Sequence, residues 1–421
     1  MKKIKIFCLA DSPLAPSGVG TQTRYMIEGL LKTGKYQFVC FGGAIRHQDY
    51  KPIRTEEYGD DWIIYPVDGY GNHQQVRALL QAQRPDIVWI MTDPRFWTWL
   101  WEIENEVRAV APLVYYHVWD NTPYPTFNKV WYLSNDVNVA ISKLTYDILN
   151  TVAPEVRTEH VPHAIADDVF KKLDQDKIDI FKKENNIGYD PDGNKRFVLF
   201  WNNRNARRKQ SGSLMFWFND FLNKVGRDKA TLIMHTEPKD PNGQDLIAIR
   251  DHLGLDEHQF KLSTQKLTIE QLSTLYNSVD CTINVSDAEG FGLSTLESLA
   301  TETPIIVNMT GGLQEQVTNG NDWFGVGLNP ASKAIIGSQE VPWIYEDRLS
   351  GHDVVEAMCK IYEMTEAERA DLGKAGREHV IDNYSMKNYI NSWDNLLTDV
   401  NKDHGSWDNR KKKYWSLNKI L

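Results

Sequence analysis

The sequence predicts an α/β protein made of two doubly wound domains, each a parallel sheet with helices on both faces. Two observations carry that reading. Short apolar runs alternate with helical stretches, at residues 4–10, 36–42, 62–67, 87–91, 114–118 and 136–141, and again at 197–201, 231–235, 260–262, 279–285 and 304–308. Strands buried on both faces give such runs, and strands alternating with helices build a parallel sheet. The second observation is the interruption between the two series. Residues 164–195 are charged and include KKLDQDKIDIFKKENNIGYDPDGNK, which reads as a linker with one short helix over 178–185. The expected division is a first domain at 1–163, a linker at 164–195, a second domain at 196–385, and a helix and tail at 386–421 packing back on the first domain.

A chain of 421 residues is long enough for two full cores. Its 41% hydrophobic and 25% charged residues fit a globular composition. A formal net charge of −10 argues against a general nucleic-acid binder. Cys8, Cys40, Cys281 and Cys359 are far apart and form no CxxC pair. Buried reduced thiols in a cytoplasmic protein are the expectation. MKKIKIFCLA begins like a signal peptide, but Lys5 interrupts a short apolar run, so a first strand is expected there. No run of about 18 apolar residues exists, so no membrane span is expected.

In the first half, the loop SPLAPSGVG follows the first strand, and a helix is expected from Thr21 to Gly34. Gly18-x-Gly20 is a fragment of a dinucleotide fingerprint without its third glycine, a weak sign of NAD. The same glycines suit a flexible loop over a ligand. A helix is expected over 72–83. His117 and Asp120 stand at the end of the VYYHV run, where ligands of such sheets bind. The indoles of Trp89, Trp97, Trp99, Trp101, Trp119 and Trp131 are core candidates, with one or two available to stack on a flat ligand. His160 and His163 flank Pro162, whose extended path does not suit a helical metal pair.

In the second half, helices are expected over 213–225, 245–253, 269–277 and 293–300, with NNRNARRK following the first strand. NVSDAEGFGLSTLESLATETP is the stretch around which the rest is arranged. A glycine-containing turn between strand and helix puts backbone N–H groups at the helix N-terminus, where they favour an anion. Glu289 precedes Gly290-Phe291-Gly292, and Glu297 lies in the helix opened by Leu293. Either glutamate alone reads as a solvated cap or an exposed helix residue. Together they suit a ligand with a phosphate between hydroxyl-rich ends, such as a nucleotide sugar. Farther on, 366–382 and 387–400 are helical. The second carries Tyr389, Trp393, Leu396, Leu397 and Val400 at helical spacing. The tail Arg410–Lys413 beside Tyr414 and Trp415 suits an anionic membrane or nucleic acid, or more simply a solvated terminus packing on a domain.

With both halves in view, the sequence resembles glycosyltransferase family 4, enzymes of the GT-B architecture in which two Rossmann-like domains face across a cleft. The resemblance covers nearly the whole chain. Its most specific part is Glu289-Gly290-Phe291-Gly292-Leu293 with Glu297, which looks like the family's E-x7-E element. The SGVG loop, His117 after the VYY strand and VPHAI before the linker also fall where that family has them. Arg204 and Lys209 match the family's basic pair, and the resemblance implies that they hold the diphosphate and stabilise the leaving nucleotide. It implies that Glu289 accepts bonds from the donor sugar, helped by the backbone at Phe291 and Gly292, and that Glu297 takes the ribose hydroxyls. His117 would line the reaction centre, and Gly18 and Gly20 would approach the donor phosphates or the acceptor. The base would rest near residues 263–266. Arg207 and Arg208 have no family counterpart. Thr303 stands where the family commonly has glycine, and SGVG lacks the paired glycines.

The activity so implied is retaining transfer of a hexosyl or pentosyl group from a nucleoside-diphosphate sugar, with no cofactor and no metal. The acceptor is open: a saccharide, lipid-linked sugar, protein, metabolite or, against the acidic balance, a modified DNA base. A nucleotide-sugar epimerase of the same layout and a non-catalytic sugar-binding protein are the alternatives. An NAD-dependent dehydrogenase is the weakest, since its fingerprint is incomplete.

Overall fold

Two parallel sheets account for the apolar runs. The computed structural model describes residues 2–190 and 192–411 and divides into two units. The first comprises Met1–Trp119, Tyr124–Ala164 and the C-terminal segment from Met386, and the second comprises Asp120–Pro123 and Ile165–Ser385.

The first unit holds β1 (Ile4–Leu9), β2 (Tyr36–Gly42), β3 (Ile53–Arg54), β4 (Trp62–Pro66), β5 (Ile87–Met91), β6 (Leu113–His117), β7 (Val137–Ala140) and β8 (Arg157–His160). They form one sheet in the order β3-β4-β2-β1-β5-β6-β7-β8, parallel except at the antiparallel edge strand β3. The order reverses between β1 and β5, which is the switch point of a doubly wound sheet. β8, which ends at His160, is not marked by the apolar pattern, because its side chains are polar and exposed or half-buried at the edge. His163 is buried, with Nδ1 2.8 Å from the Tyr116 hydroxyl, so it is a core residue. The Met386–His404 helix belongs to this unit and buries Tyr389, Trp393, Leu396, Leu397 and Val400. Its Trp393 ring meets Trp89 and Tyr116 edge-on, at 5.8 and 4.9 Å between centroids. Buried aromatic side chains of this kind stabilise a fold by about 1.5–3 kcal/mol each. Residues 412–421, which hold most of the basic–aromatic tail, lie outside the described residues.

The second unit holds β9 (Phe197–Asn202), β10 (Ala230–His235), β11 (Phe260–Ser263), β12 (Cys281–Asn284), β13 (Ile305–Asn308) and β14 (Gly325–Leu328). They form a sheet in the order β11-β10-β9-β12-β13-β14, with its switch point between β9 and β12. β15 (Ser332–Ile336) and β16 (Ile344–Arg348) make a separate antiparallel hairpin that the apolar pattern does not reveal.

Residues 165–195, expected as a linker, are part of the second unit. Ile178 and Ile187 are buried, and Leu173 N donates to Asn277 Oδ1 at 3.0 Å. The charged residues there occupy the outer face of the helix Gln175–Glu184, whose only buried side chain is Ile178. At the end of the organising helix, Glu302 takes the left-handed conformation at φ +63°. Thr303, in the position where glycine was the family expectation, is buried and donates its hydroxyl to Tyr276 O at 2.9 Å.

Candidate active site

The loops that leave the carboxyl ends of β9 and β12 meet at the second switch point. The loop after β9 ends in a short 3-10 turn, Arg207–Lys209, and then in Gln210 at φ +56°. A left-handed backbone at a residue other than glycine is costly and persists where its surroundings hold it. Here Gln210 Nε2 donates to both carboxylate oxygens of Asp287, at 2.8 and 2.9 Å. The two loops also share backbone bonds. Asp287 N donates to Arg208 O at 2.8 Å, and Arg208 Nη1 donates to Ala288 O at 2.6 Å.

This zipper places Lys209 Nζ in an ion pair with Glu289 Oε2, and Arg208 Nη1 at 3.9 Å from the same oxygen. The side chains of Lys209 and Glu289 are 8% and 14% exposed, so the pair is nearly out of water. Burial pushes the Glu289 carboxyl up, but the charges of Lys209 and Arg208 outweigh it and hold the group below its usual range. Burial likewise pushes the Lys209 ammonium down, against the pull of Glu289. Asp120, carried by the second unit, is pushed up to about 6 by burial, with Arg208 opposing and Glu289 adding to the shift.

Beyond Glu289 the chain turns through Gly290 and Phe291 into the helix Leu293–Ala300. Gly292 caps this helix at φ +93° with no side-chain cap, and uncapped first-turn N–H groups favour an anion. The turn is braced from behind. Gly312 N donates to Glu289 O at 3.1 Å, and Gln316 Nε2 donates to Phe291 O at 2.7 Å. A side chain on Gly312 would come within 2.6 Å of Phe291 Cα, so only glycine fits. The Phe291 side chain is buried and meets Tyr384 in a T-shaped contact, 5.5 Å between ring centroids. Glu297 accepts the Tyr276 hydroxyl at 2.8 Å, and burial pushes its carboxyl up to about 7. A carboxylate is acceptor-only and can take further donors. At the ends of β10 and β11, His235 Nδ1 lies 2.8 Å from Ser263 Oγ, next to the expected base position.

Several expected residues are placed differently. Arg204 is 64% exposed and grips Asp240 through Nε (2.6 Å) and Nη2 (3.1 Å), instead of standing beside Glu289. Arg208, left without a role by the family pattern, takes that place. The zipper selects it, because its own carbonyl binds the loop that carries Glu289. The helix after β1 begins at Gly18, not near Thr21, so Gly18 and Gly20 sit in its first turn and not in a mobile loop. Ser17 caps it, accepting from Gly20 N at 3.0 Å. A side chain on Gly20 would come within 2.7 Å of the carbonyls of Ser12 and Ala15, so that glycine serves packing.

His117 is the last residue of β6 and is fully buried. Its Nε2 lies 2.7 Å from the Tyr132 hydroxyl, which accepts from Asn128 Nδ2 at 3.1 Å, and its Nδ1 is buried without a partner. Burial pulls its pKa down to about 3, so the ring is neutral. Among the described residues, no group of three or more His, Cys, Asp or Glu is placed to hold a metal, and no helix is long and apolar enough to cross a membrane.

Known proteins resemble this chain in part of its sequence and in its fold. Residues 239–379 match the model of the family described as glycosyl transferases group 1. Glu289 and Glu297 fall inside the match, and Arg204, Arg208 and Lys209 precede it. D-inositol 3-phosphate glycosyltransferase from Mycolicibacterium smegmatis is 28% identical over 134 residues, 32% of this chain and a quarter (25%) of that protein's length. The whole chain is similar in fold to sucrose-phosphate synthase from Thermosynechococcus elongatus, with TM-score 0.73 and 15% identity over 95% of this chain and 100% of that one. A glycosyltransferase from Rickettsia africae gives 0.71 at 15% identity over 96% and 100%. Anabaena HepE, in complex with UDP and glucose, gives 0.68 at 14% over 94% and 100%. At such identities the likeness establishes the fold, which is α/β with two doubly wound units of the GT-B type.

Proposed function

We propose that the protein is a retaining glycosyltransferase that moves a sugar from a nucleoside-diphosphate sugar to an acceptor hydroxyl. The observation that carries this reading is the buried Lys209–Glu289 pair beside Arg208, next to a helix N-terminus with no side-chain cap. Cations and aligned N–H groups at one point suit a diphosphate, and a carboxylate between them suits sugar hydroxyls. Glu297, already holding one phenol, is matched to the vicinal hydroxyls of a ribose.

Departure of a nucleoside diphosphate builds negative charge on the leaving oxygen. Lys209 and Arg208 oppose that charge from fixed positions, and Arg204 joins them if it leaves Asp240. The sugar C1–phosphate bond breaks as the acceptor oxygen bonds C1 from the same face, and the acceptor proton passes to the leaving diphosphate. His117, kept neutral by burial, is given no part in proton transfer. No metal is assigned, since the two cations supply the charge. Undiminished turnover in EDTA supports this, and a strict Mn²⁺ or Mg²⁺ requirement refutes it.

The test is a thermal-shift screen with UDP, GDP, ADP and dTDP and their sugars, since a ligand of the folded state raises its melting point. UDP comes first because it occupies the HepE structure. Product analysis by NMR then separates transfer with retention from inversion, and from an epimerised donor formed without acceptor. Absence of any nucleotide-dependent shift would sink the reading.

A further inference from the structure

The β15–β16 hairpin has a place in the second unit that the core does not require. Its strands pair with each other and not with the six-stranded sheet. The hydrophobic cluster of this unit takes Leu328 and Val354 on either side of it in sequence, but no residue of 332–348. Yet consecutive residues of β16 reach three loops that are far apart in the chain.

Tyr345 N donates to Thr122 O at 2.6 Å, and Asn121 Nδ2 donates to Tyr345 O at 3.3 Å, which holds the two residues that follow Asp120. Glu346, 5% exposed, pairs with Arg207 of the basic loop and accepts from Arg348 Nη2 at 2.7 Å. Arg348 Nη1 in turn stands 3.6 Å from Asp287, two residues before Glu289. Asp347, 6% exposed, accepts from Asn308 Nδ2 at 3.0 Å, and the same amide reaches Ser286 O at 2.8 Å. The carboxylates are shielded while the guanidiniums of Arg207 and Arg348 are 66% and 43% exposed, so these pairs tie the loops to the hairpin at a cost on loss between that of a surface and a buried pair.

We propose that the β15–β16 hairpin is the frame of the donor site, and that Glu346 and Arg348 are positioning residues that set Lys209 and Arg208 against Glu289. This rests on the transferase reading for its consequence in catalysis, but not for its structural content. Glu346 acts on Arg207 directly and on Lys209 through the rigid Arg207–Lys209 turn. Arg348 acts on Glu289 through Asp287.

The experiment compares the full-length chain with E346Q by amide hydrogen exchange without ligand, and by donor kinetics with the nucleotide sugar that the thermal-shift screen selects. Amides of 204–210 and 286–290 should exchange about tenfold faster in the variant, as loss of a coupled pair of this kind implies, while those of β9, β10 and β12 keep their protection. The KM for the donor should rise by about tenfold as well, and adding R207A to E346Q should cost little more, because the two act as one unit. Unchanged exchange in both loops overturns the proposal. So does a uniform loss of protection across the second sheet, or faster exchange with donor KM unchanged. R348Q, whose parent side chain is 43% exposed, supplies the same comparison should E346Q not fold. The exchange arm needs no nucleotide, so failure of the transferase reading shows as a wild type that binds none and leaves this arm to decide.

Discussion

The two units present the same kind of switch point with different chemistry. At the first, between β1 and β5, the polar groups are satisfied internally. Asp11 accepts the Ser17 hydroxyl at 2.6 Å and the Tyr70 hydroxyl at 2.9 Å, and Asp93 is gripped by Arg95 at 2.9 Å. Thr92 sits at φ +103° with its carbonyl held by Tyr115 at 2.9 Å. At the second, between β9 and β12, two cations share one carboxylate, a helix begins without a cap, and a buried glutamate is lifted to about 7. The sheet order supplies a crevice in both cases. What sets the second apart, and makes it the proposed diphosphate site, is the sequence of its loops, and above all which residue the backbone zipper sets beside Glu289.

If that contrast is right, the largest effect belongs to the buried pair. K209A should lower turnover by about 10²–10³, as removal of a fixed charge-stabilising donor does, and should also destabilise the fold by about 3–5 kcal/mol by leaving Glu289 with one distant cation. The double variant K209M/E289Q should recover most of that stability in chemical denaturation while staying inactive. Activity that returned together with stability would show the pair to be structural only.

Next comes the brace. G312A forces a side chain into the Phe291 backbone, and should destabilise the protein by about 1–3 kcal/mol and weaken nucleotide binding together. Nucleotide affinity that held while the melting temperature fell would detach the turn from the site.

Glu297 gives a smaller, pH-dependent effect. Its carboxyl has an ordinary value of 4.5 and is raised to about 7 in the fold. Below about pH 4.5 it is protonated folded or unfolded, and no penalty arises. As pH rises toward 7 the unfolded chain ionises freely while the fold resists, so stability is lost through that window. E297Q should therefore gain on the wild type between pH 5 and 8, by on the order of 1–3 kcal/mol, seen as diverging denaturation midpoints. Parallel midpoints would place Glu297 in water. The smallest effect is expected for D240N. It frees an exposed Arg204, should leave the melting temperature nearly unchanged, and should tighten nucleotide binding, whereas weaker binding would mean that Asp240 orients Arg204 productively.

Much of this was legible from sequence for a physical reason. Strands buried on both faces are apolar throughout, so β2 and β5 were read to the residue, and the helix Leu293–Ala300 announced itself by its glycine turn. The edge strands β3 and β8 were not legible, because β3 is two exposed residues long and β8 carries polar side chains that are exposed or half-buried. The β15–β16 hairpin was missed for the same reason, as it packs by ion pairs and not by an apolar face. The pattern singled out Glu289, Lys209 and Glu297, which the structure shows to be partnered. Arg208 was not singled out, because its position follows from a carbonyl-to-amide bond that side-chain identity does not encode. Gly20 shows the converse case, a glycine whose spacing suggested a ligand loop and whose surroundings show close packing.

The central claim is that the second switch point grips a nucleoside diphosphate through Lys209, Arg208 and Glu289. Its most direct test is calorimetric titration of the full chain and of K209M/E289Q with the diphosphate selected from UDP, GDP, ADP and dTDP. The account predicts saturable binding to the wild type and an affinity at least about 100-fold weaker in the double variant. Equal affinities in the two proteins would contradict it.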